Sequence, residues 1–206
     1  MTRAYFIGGA PRVGKTNLAM RIIHDRPMFA VSADSLRDML QGVLKPAGYP
    51  ALFKLHELTQ NESAMAQFLH DHPREGVSLQ NDESSIVWPS VDKLIRSYLA
   101  DGQDVLVEGV EILPANLSRL GYDYRVVFIG NTSPLHASTI AAQAHANEHD
   151  WMHRYSDATI ESWSSLIREF SNYIKSEANT YGMPFIETHD DNFEDSLAKA
   201  AALVLA

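Results

Sequence analysis

Short apolar runs alternate with stretches of helical periodicity along this chain. Five runs, at 4–7, 28–31, 105–107, 125–129 and 184–187, are brief, apolar and bounded by turn residues, so they predict strands. Leu18, Ala19, Ile22 and Ile23 share one face after the first run, and Pro27 closes that segment. The spacing of Leu36, Met39, Leu40 and Val43 predicts a helix over 35–44. Residues 51–70 read as helical through Leu55, Leu58, Met65 and Phe68. Residues 71–82 are polar and turn-rich and predict a loop. Helix is expected again over 91–99, ending at Asp101-Gly102, over most of 133–181, and over 197–205.

Strands that alternate with helices imply an α/β domain, a parallel sheet with helices on both faces. At 206 residues the chain is most simply one domain. Two long connections stand out, about 45–100 before the third strand and about 131–182 before the fifth, and connections of that length usually carry function.

Composition narrows the classes. An apolar fraction of 45% suits a globular core, and no run approaches about 18 apolar residues, so no membrane span is expected. The first residues lack the charged-then-apolar layout of a secretory signal, and cysteine is absent, so a cytoplasmic location is expected. A formal net charge of −9 disfavours a broad nucleic-acid surface but leaves room for a small anion held by a few local cations.

The chemistry concentrates at Gly9-Ala10-Pro11-Arg12-Val13-Gly14-Lys15-Thr16, which fits G-x-x-x-x-G-K-[ST] between a strand and a helix. Glycines let backbone N–H groups turn toward phosphate oxygens, and the following helix points its positive end at them. Lys15 would neutralise the β and γ phosphates, and the Thr16 hydroxyl would ligate Mg²⁺. Gly9, Pro11, Arg12, Val13, Gly14, Lys15, Thr16 and Asn17 are the expected nucleotide contacts, with ATP and Mg²⁺ as cofactors.

"GGAPRVGKT", "VSADSLRDML", "VLVEGVEILP" and "YGMPFIET" occur in an order that resembles the P-loop small-molecule kinases. That group includes nucleoside monophosphate kinases, shikimate kinase, chloramphenicol phosphotransferase, zeta toxin and 2-phosphoglycerate kinase; the wording is nearest to 2-phosphoglycerate kinase-like proteins. The resemblance implies a P-loop NTPase of three α/β/α layers, a five-stranded parallel sheet ordered 2-3-1-4-5, and a helical lid. It implies one kinase domain over 1–206, an acceptor-binding insertion at about 45–100, a lid at about 131–170, and transfer of the ATP γ-phosphoryl to a small-molecule hydroxyl by a monomer or homodimer.

Asp34 follows the second strand, so its carboxylate would face the crevice outside the strands' carboxyl ends. Two readings stand for it: base or substrate ligand, which the resemblance favours, and cap of the following helix. Arg37, one turn on, is a candidate ligand for an anionic acceptor. Glu108 ends the third strand and could orient a metal-bound water or touch substrate, though many relatives carry Asp there; an exposed strand-end carboxylate is the plainer reading. Arg154 and Arg168 are the lid's candidates for closing over the transferred phosphoryl, against a role in surface ion pairs. This lid is poor in arginine, and Arg12 in the loop is a possible substitute.

A competing motif is His145-Ala146-Asn147-Glu148-His149, which matches H-x-x-E-H. With His153 it would form a row at i, i+4 and i+8 on one helical face, able to hold zinc or simply to face solvent. No further ligand stands out around it. No N-K-x-D segment, no D-x-x-G after the third strand and no L-S-G-G-Q segment is present, which disfavours GTPases and ABC ATPases. The rival to a kinase is a nucleotide-binding regulatory ATPase without an acceptor.

Overall fold

The computed structural model describes residues 2–206. Five strands form one parallel sheet: β1 (Ala4–Gly9), β2 (Phe29–Ser32), β3 (Val105–Gly109), β4 (Tyr124–Gly130) and β5 (Phe185–Glu187), in the order β2-β3-β1-β4-β5. β1 lies in the middle and all six of its residues are buried, the near-continuous apolar reading of a strand covered on both faces. β2 is an edge strand, where Phe29 is half exposed and its ring meets that of Tyr98 at 5.0 Å.

Helices cover both faces. α1 (Lys15–Asp25) packs with α9 (Phe193–Leu205) on one side, and α5 (Pro73–Ala100) packs with α8 (Asp157–Thr180) on the other. α2 (Ala33–Val43), α3 (Pro50–Thr59) and α4 (Glu62–Asp71) lead into α5; the short α6 (Pro114–Leu117) follows β3, and α7 (His136–Ala146) precedes α8. Phe6, Ile7, Leu18, Ile22, Val107 and Phe128 are fully buried between the layers. No helix of the described residues is long and apolar enough to cross a membrane.

The expected loop at 71–82 is helix. Together with the expected helix at 91–99 it forms α5, which runs 28 residues through Pro89. Gly76, a breaker by composition, marks a close crossing: a Cβ there would lie 2.8 Å from Leu166 Cδ1. The serines return their hydroxyls to the helix, as Ser84 Oγ does to the Gln80 carbonyl at 2.8 Å. Burial of Val77, Gln80, Glu83 and Ser84 therefore overrides a polar, turn-rich composition. The expected single helix over 51–70 is two, α3 and α4, divided at Gln60 and Asn61, where the Asn61 side chain accepts from Ala64 N at 3.0 Å. The long helical stretch before β5 is likewise two helices, with turns over 147–156 between them.

Ser78 is exposed in the first half of α5. In a loop, proline at 78 would be tolerated; inside this helix it removes a hydrogen bond and clashes with the preceding turn. Ser78→Pro is expected to lower the unfolding free energy by about 3 kcal/mol or more in a urea titration, and an unchanged midpoint would return 71–82 to a loop.

Candidate active site

The loop between β1 and α1 needs two unusual glycines. Gly9 runs so close to β4 that a Cβ would sit 2.0 Å from the Ile129 carbonyl oxygen. Gly14 has φ +98° and forms the N-cap of α1 without a side-chain cap, which leaves the first-turn N–H groups of α1 free to meet an anion. Arg12 also takes a left-handed conformation, φ 64°, the one described non-glycine residue to do so. That conformation costs an L-residue about 1–2 kcal/mol, so the surroundings must hold it.

They do so from two directions. His136 Nε2 approaches the Arg12 carbonyl at 3.2 Å while its Nδ1 meets Asp190 Oδ1 at 2.8 Å. Both partners are acceptors, and which of them the ring donates to depends on the nitrogen that carries the proton. Asp190 is fixed in turn by Thr139 Oγ1, which donates at 2.9 Å, and by Asn131 Nδ2 at 3.2 Å. The Arg12 guanidinium pairs with Asp150, and both side chains are largely buried. Asp150 also accepts from Met152 N at 2.9 Å, and its pKa lies below the usual carboxylate range because these donors and the Arg12 charge outweigh burial.

Lys15 is buried and donates from Nζ to the Ala10 carbonyl at 2.8 Å, so the loop holds its own cation in place. Thr16 Oγ1 donates to Glu108 Oε1 at 3.4 Å. Glu108 is buried, and burial raises its pKa against the opposing pull of Lys15. A hydroxyl and a carboxylate this close, beside an ammonium, suit a hard divalent cation held partly through water. The plainer reading of Glu108, an exposed strand end, is excluded by its burial.

Asp34 stands second in α2, and Ser32, not Asp34, is the N-cap residue. Its carboxylate caps nothing: Oδ1 is buried with no hydrogen-bond partner, and the residue lines the same cleft as Lys15 and Thr16. Arg37 is crowded by carboxylates, with Asp38 at 3.0 Å, Glu111 at 3.5 Å, Asp34 at 3.7 Å and Glu83 at 3.9 Å. Burial pushes Glu83 up to about 7, although Arg37 and the Gln80 amide, 3.0 Å from Oε1, pull the other way. Glu111 is fully buried and pushed well above the usual carboxylate range, by burial first and then by Asp34.

One cleft of about 950 Å³ runs between these elements. Pro11, Arg12, Gly14, Lys15, Thr16 and Asn17 line its phosphate-loop end, and Asp34, Arg37 and Glu108 line it as well. Gly9 and Val13 lie buried behind the loop. Arg154 is exposed in the turns after α7 and does not line the cleft, and neither does Arg168 of α8. The histidine row does not form either. α7 ends at Ala146, so His145, His149 and His153 share no helical face; His145 pairs with Asp157 at 2.9 Å and His153 Nδ1 meets the Ala144 carbonyl at 3.1 Å.

Sequence reading missed Gln80 and Glu83, which lie in the misread loop, and His136 and Asp190, whose partners are distant in the chain. Asp190 follows β5, so the strand-end rule that selects Asp34 also reaches it.

No protein-family model matches the chain, and no curated protein matches it. Solved structures do. Shikimate kinase from Bacteroides thetaiotaomicron is 11% identical with a TM-score of 0.55 over 99% of each chain. Dephospho-CoA kinase from Campylobacter jejuni is 15% identical with a TM-score of 0.47, over 97% of this chain and 95% of that one. A gluconokinase from Sinorhizobium meliloti 1021 is 12% identical with a TM-score of 0.40, over 98% and 94%. At these identities the likeness is one of fold and rests on the first of the three. The sheet order and the helices on both faces are those of the P-loop small-molecule kinase fold.

Glu83 makes a pH prediction. Its folded pKa is raised from 4.5 to about 7, so the folded chain keeps a proton that the unfolded chain releases. Stability from this group is therefore full below 4.5 and declines as pH rises to about 7. Glu83→Gln removes the ionisation. The variant is expected to match the parent near pH 4.5 and to exceed it at pH 8 by up to about 3 kcal/mol in urea unfolding. Equal pH slopes for the two proteins would show that Glu83 ionises freely.

Proposed function

We propose that this protein is a phosphotransferase that moves the γ-phosphoryl of ATP to a hydroxyl of a small molecule. The observation that carries the reading is the placement of Asp34. A carboxylate oxygen that makes no hydrogen bond, with Arg37 3.7 Å away, lies in the same cleft as a phosphate loop whose lysine, threonine and neighbouring glutamate are already assembled.

The roles follow from position. The N–H groups at the start of α1 and the Lys15 ammonium bind the nucleotide phosphates, with Lys15 leaving the Ala10 carbonyl for a phosphate oxygen. Thr16 and Glu108 would hold Mg²⁺, which supplies neutralisation of the phosphate charge. Asp34 accepts the acceptor's hydroxyl proton as the oxygen attacks. The new O–P bond forms in line with the bond from the γ-phosphorus to its bridging oxygen, and ADP leaves with that electron pair. Arg12 lines the cleft and is the cation in place beside the donor end; Arg154 would contribute only if the 147–156 turns moved across the opening. Little covalent work falls to the protein, and the rate comes from positioning and charge. The α3–α5 region bounds the acceptor end, in keeping with an acceptor-binding insertion within one kinase domain. A cytoplasmic monomer or homodimer acting on a small molecule, without nucleic acid, remains our expectation.

Two variants separate the halves of the site. Lys15→Ala is expected to reduce ADP release from Mg-ATP at least 100-fold. Asp34→Asn is expected to keep nucleotide affinity within about threefold while acceptor phosphorylation falls about 100-fold or more. Wild-type turnover by Lys15→Ala would remove the donor site, and wild-type transfer by Asp34→Asn would remove the base. Steady ATP hydrolysis that no acceptor stimulates would favour a regulatory ATPase.

A further inference from the structure

Charge on the acceptor side of the cleft bears on what it binds. Among the described residues that line the cleft, the Lys and Arg side chains are Lys15 and Arg12, both in the phosphate loop, and Arg37. Arg37 is the one of these outside the phosphate loop, and four acidic side chains stand within 4 Å of it: those of Asp34 and Asp38, and those of Glu83 and Glu111, both of which burial shifts toward the neutral acid. An anionic acceptor would have to displace the Asp34 and Asp38 carboxylates from Arg37, or face them. The expectation that Arg37 receives an anion therefore conflicts with its surroundings.

A second observation points to a ligand. Trp151, Tyr155 and Trp163 line the cleft from the segment that joins α7 to α8 and from α8 itself. The Trp151 and Trp163 rings meet edge to face, with centroids 5.1 Å apart. Trp163 is 9% exposed, and its indole N–H has no acceptor in the protein. Tryptophan and tyrosine faces beside carboxylates form surroundings that favour an organic cation with apolar edges.

We infer that the acceptor is a hydroxyl compound carrying a protonated amine and no anionic group, such as an amino sugar or an amino alcohol. This rests on the kinase reading above and names the substrate class of that site. The amine lies against the carboxylates of Asp38 and Glu83 and the aromatic wall. The reacting hydroxyl lies at Asp34. Glu83, pushed up to about 7 by burial, suits this arrangement, because an arriving ammonium stabilises its carboxylate.

The test uses matched sets that differ in one charge: glucosamine, glucose and glucuronate, and 3-aminopropane-1,2-diol, glycerol and glycerate. Binding to the full chain with saturating Mg-AMP-PNP is read by ligand-observed NMR, and ADP release is followed with Mg-ATP. The expected result is at least tenfold tighter binding of an amine than of its carboxylate counterpart. Asp38→Asn combined with Glu83→Gln should reduce that ratio to under threefold. Equal or tighter binding of the carboxylates overturns the inference, as does the absence of any amine binding above that of the neutral compound. Nucleotide binding is measured in the same samples. Carboxylate preference with nucleotide bound leaves the kinase reading standing, whereas no nucleotide binding removes both.

Discussion

The parallel register of β1, β3 and β2 is the constraint on which the site depends. Glu108 lies opposite Ile7 on one side and opposite Ser32 on the other. The three strands therefore end within about two residues of one another, and the segments that leave them begin at nearly one height. One becomes the phosphate loop, one starts α2 with Asp34, and one continues to Glu111. A slip of one residue in β3 would turn Glu108 to the opposite face of the sheet and separate it from Thr16. The apolar run of β1 and the burial of all five β3 residues make such a slip costly, so core packing fixes the distances that matter for chemistry.

Around that frame the site holds tension. A left-handed arginine, a lysine bonded to a loop carbonyl and several buried carboxylates are each unfavourable alone. Arg12 is compensated from outside the loop by His136 and Asp150, Lys15 by its own loop, and Glu83 only in part by Gln80 and Arg37. The connections after β4 and β5 supply the brace on Arg12, since His136 opens α7 and Asp190 follows β5. Such rigid, oriented polar groups need little rearrangement when charge moves in the cleft. The loop's conformation is thus a property of the whole sheet edge, and the glycines permit it without enforcing it.

Much of this was legible in the chain. The phosphate loop, Asp34 and Glu108 are local: a spacing between a strand and a helix, and carboxylates at strand ends. Strand positions followed from short apolar runs, and the strand order from resemblance to a kinase group. What was hidden depends on distant partners. The 71–82 segment reads as loop because its helix is stabilised by a close crossing at Gly76 and by buried polar side chains rather than by an apolar stripe. His136 shows its use only once Asp190 and Arg12 are beside it. The histidine row shares a face only on a continuous helix, whereas α7 ends at Ala146. The lid arginine was expected by resemblance, whereas the arginine that lines the cleft belongs to the phosphate loop itself.

The central claim is that one cleft joins a phosphate donor to a hydroxyl acceptor. Phosphorus NMR of Mg-ATP incubated with the protein and a mixture of hydroxylated small molecules tests it most directly. The expected result is loss of the γ resonance together with growth of a phosphomonoester resonance that requires both protein and acceptor. Growth of inorganic phosphate alone, at a rate no acceptor changes, would contradict it.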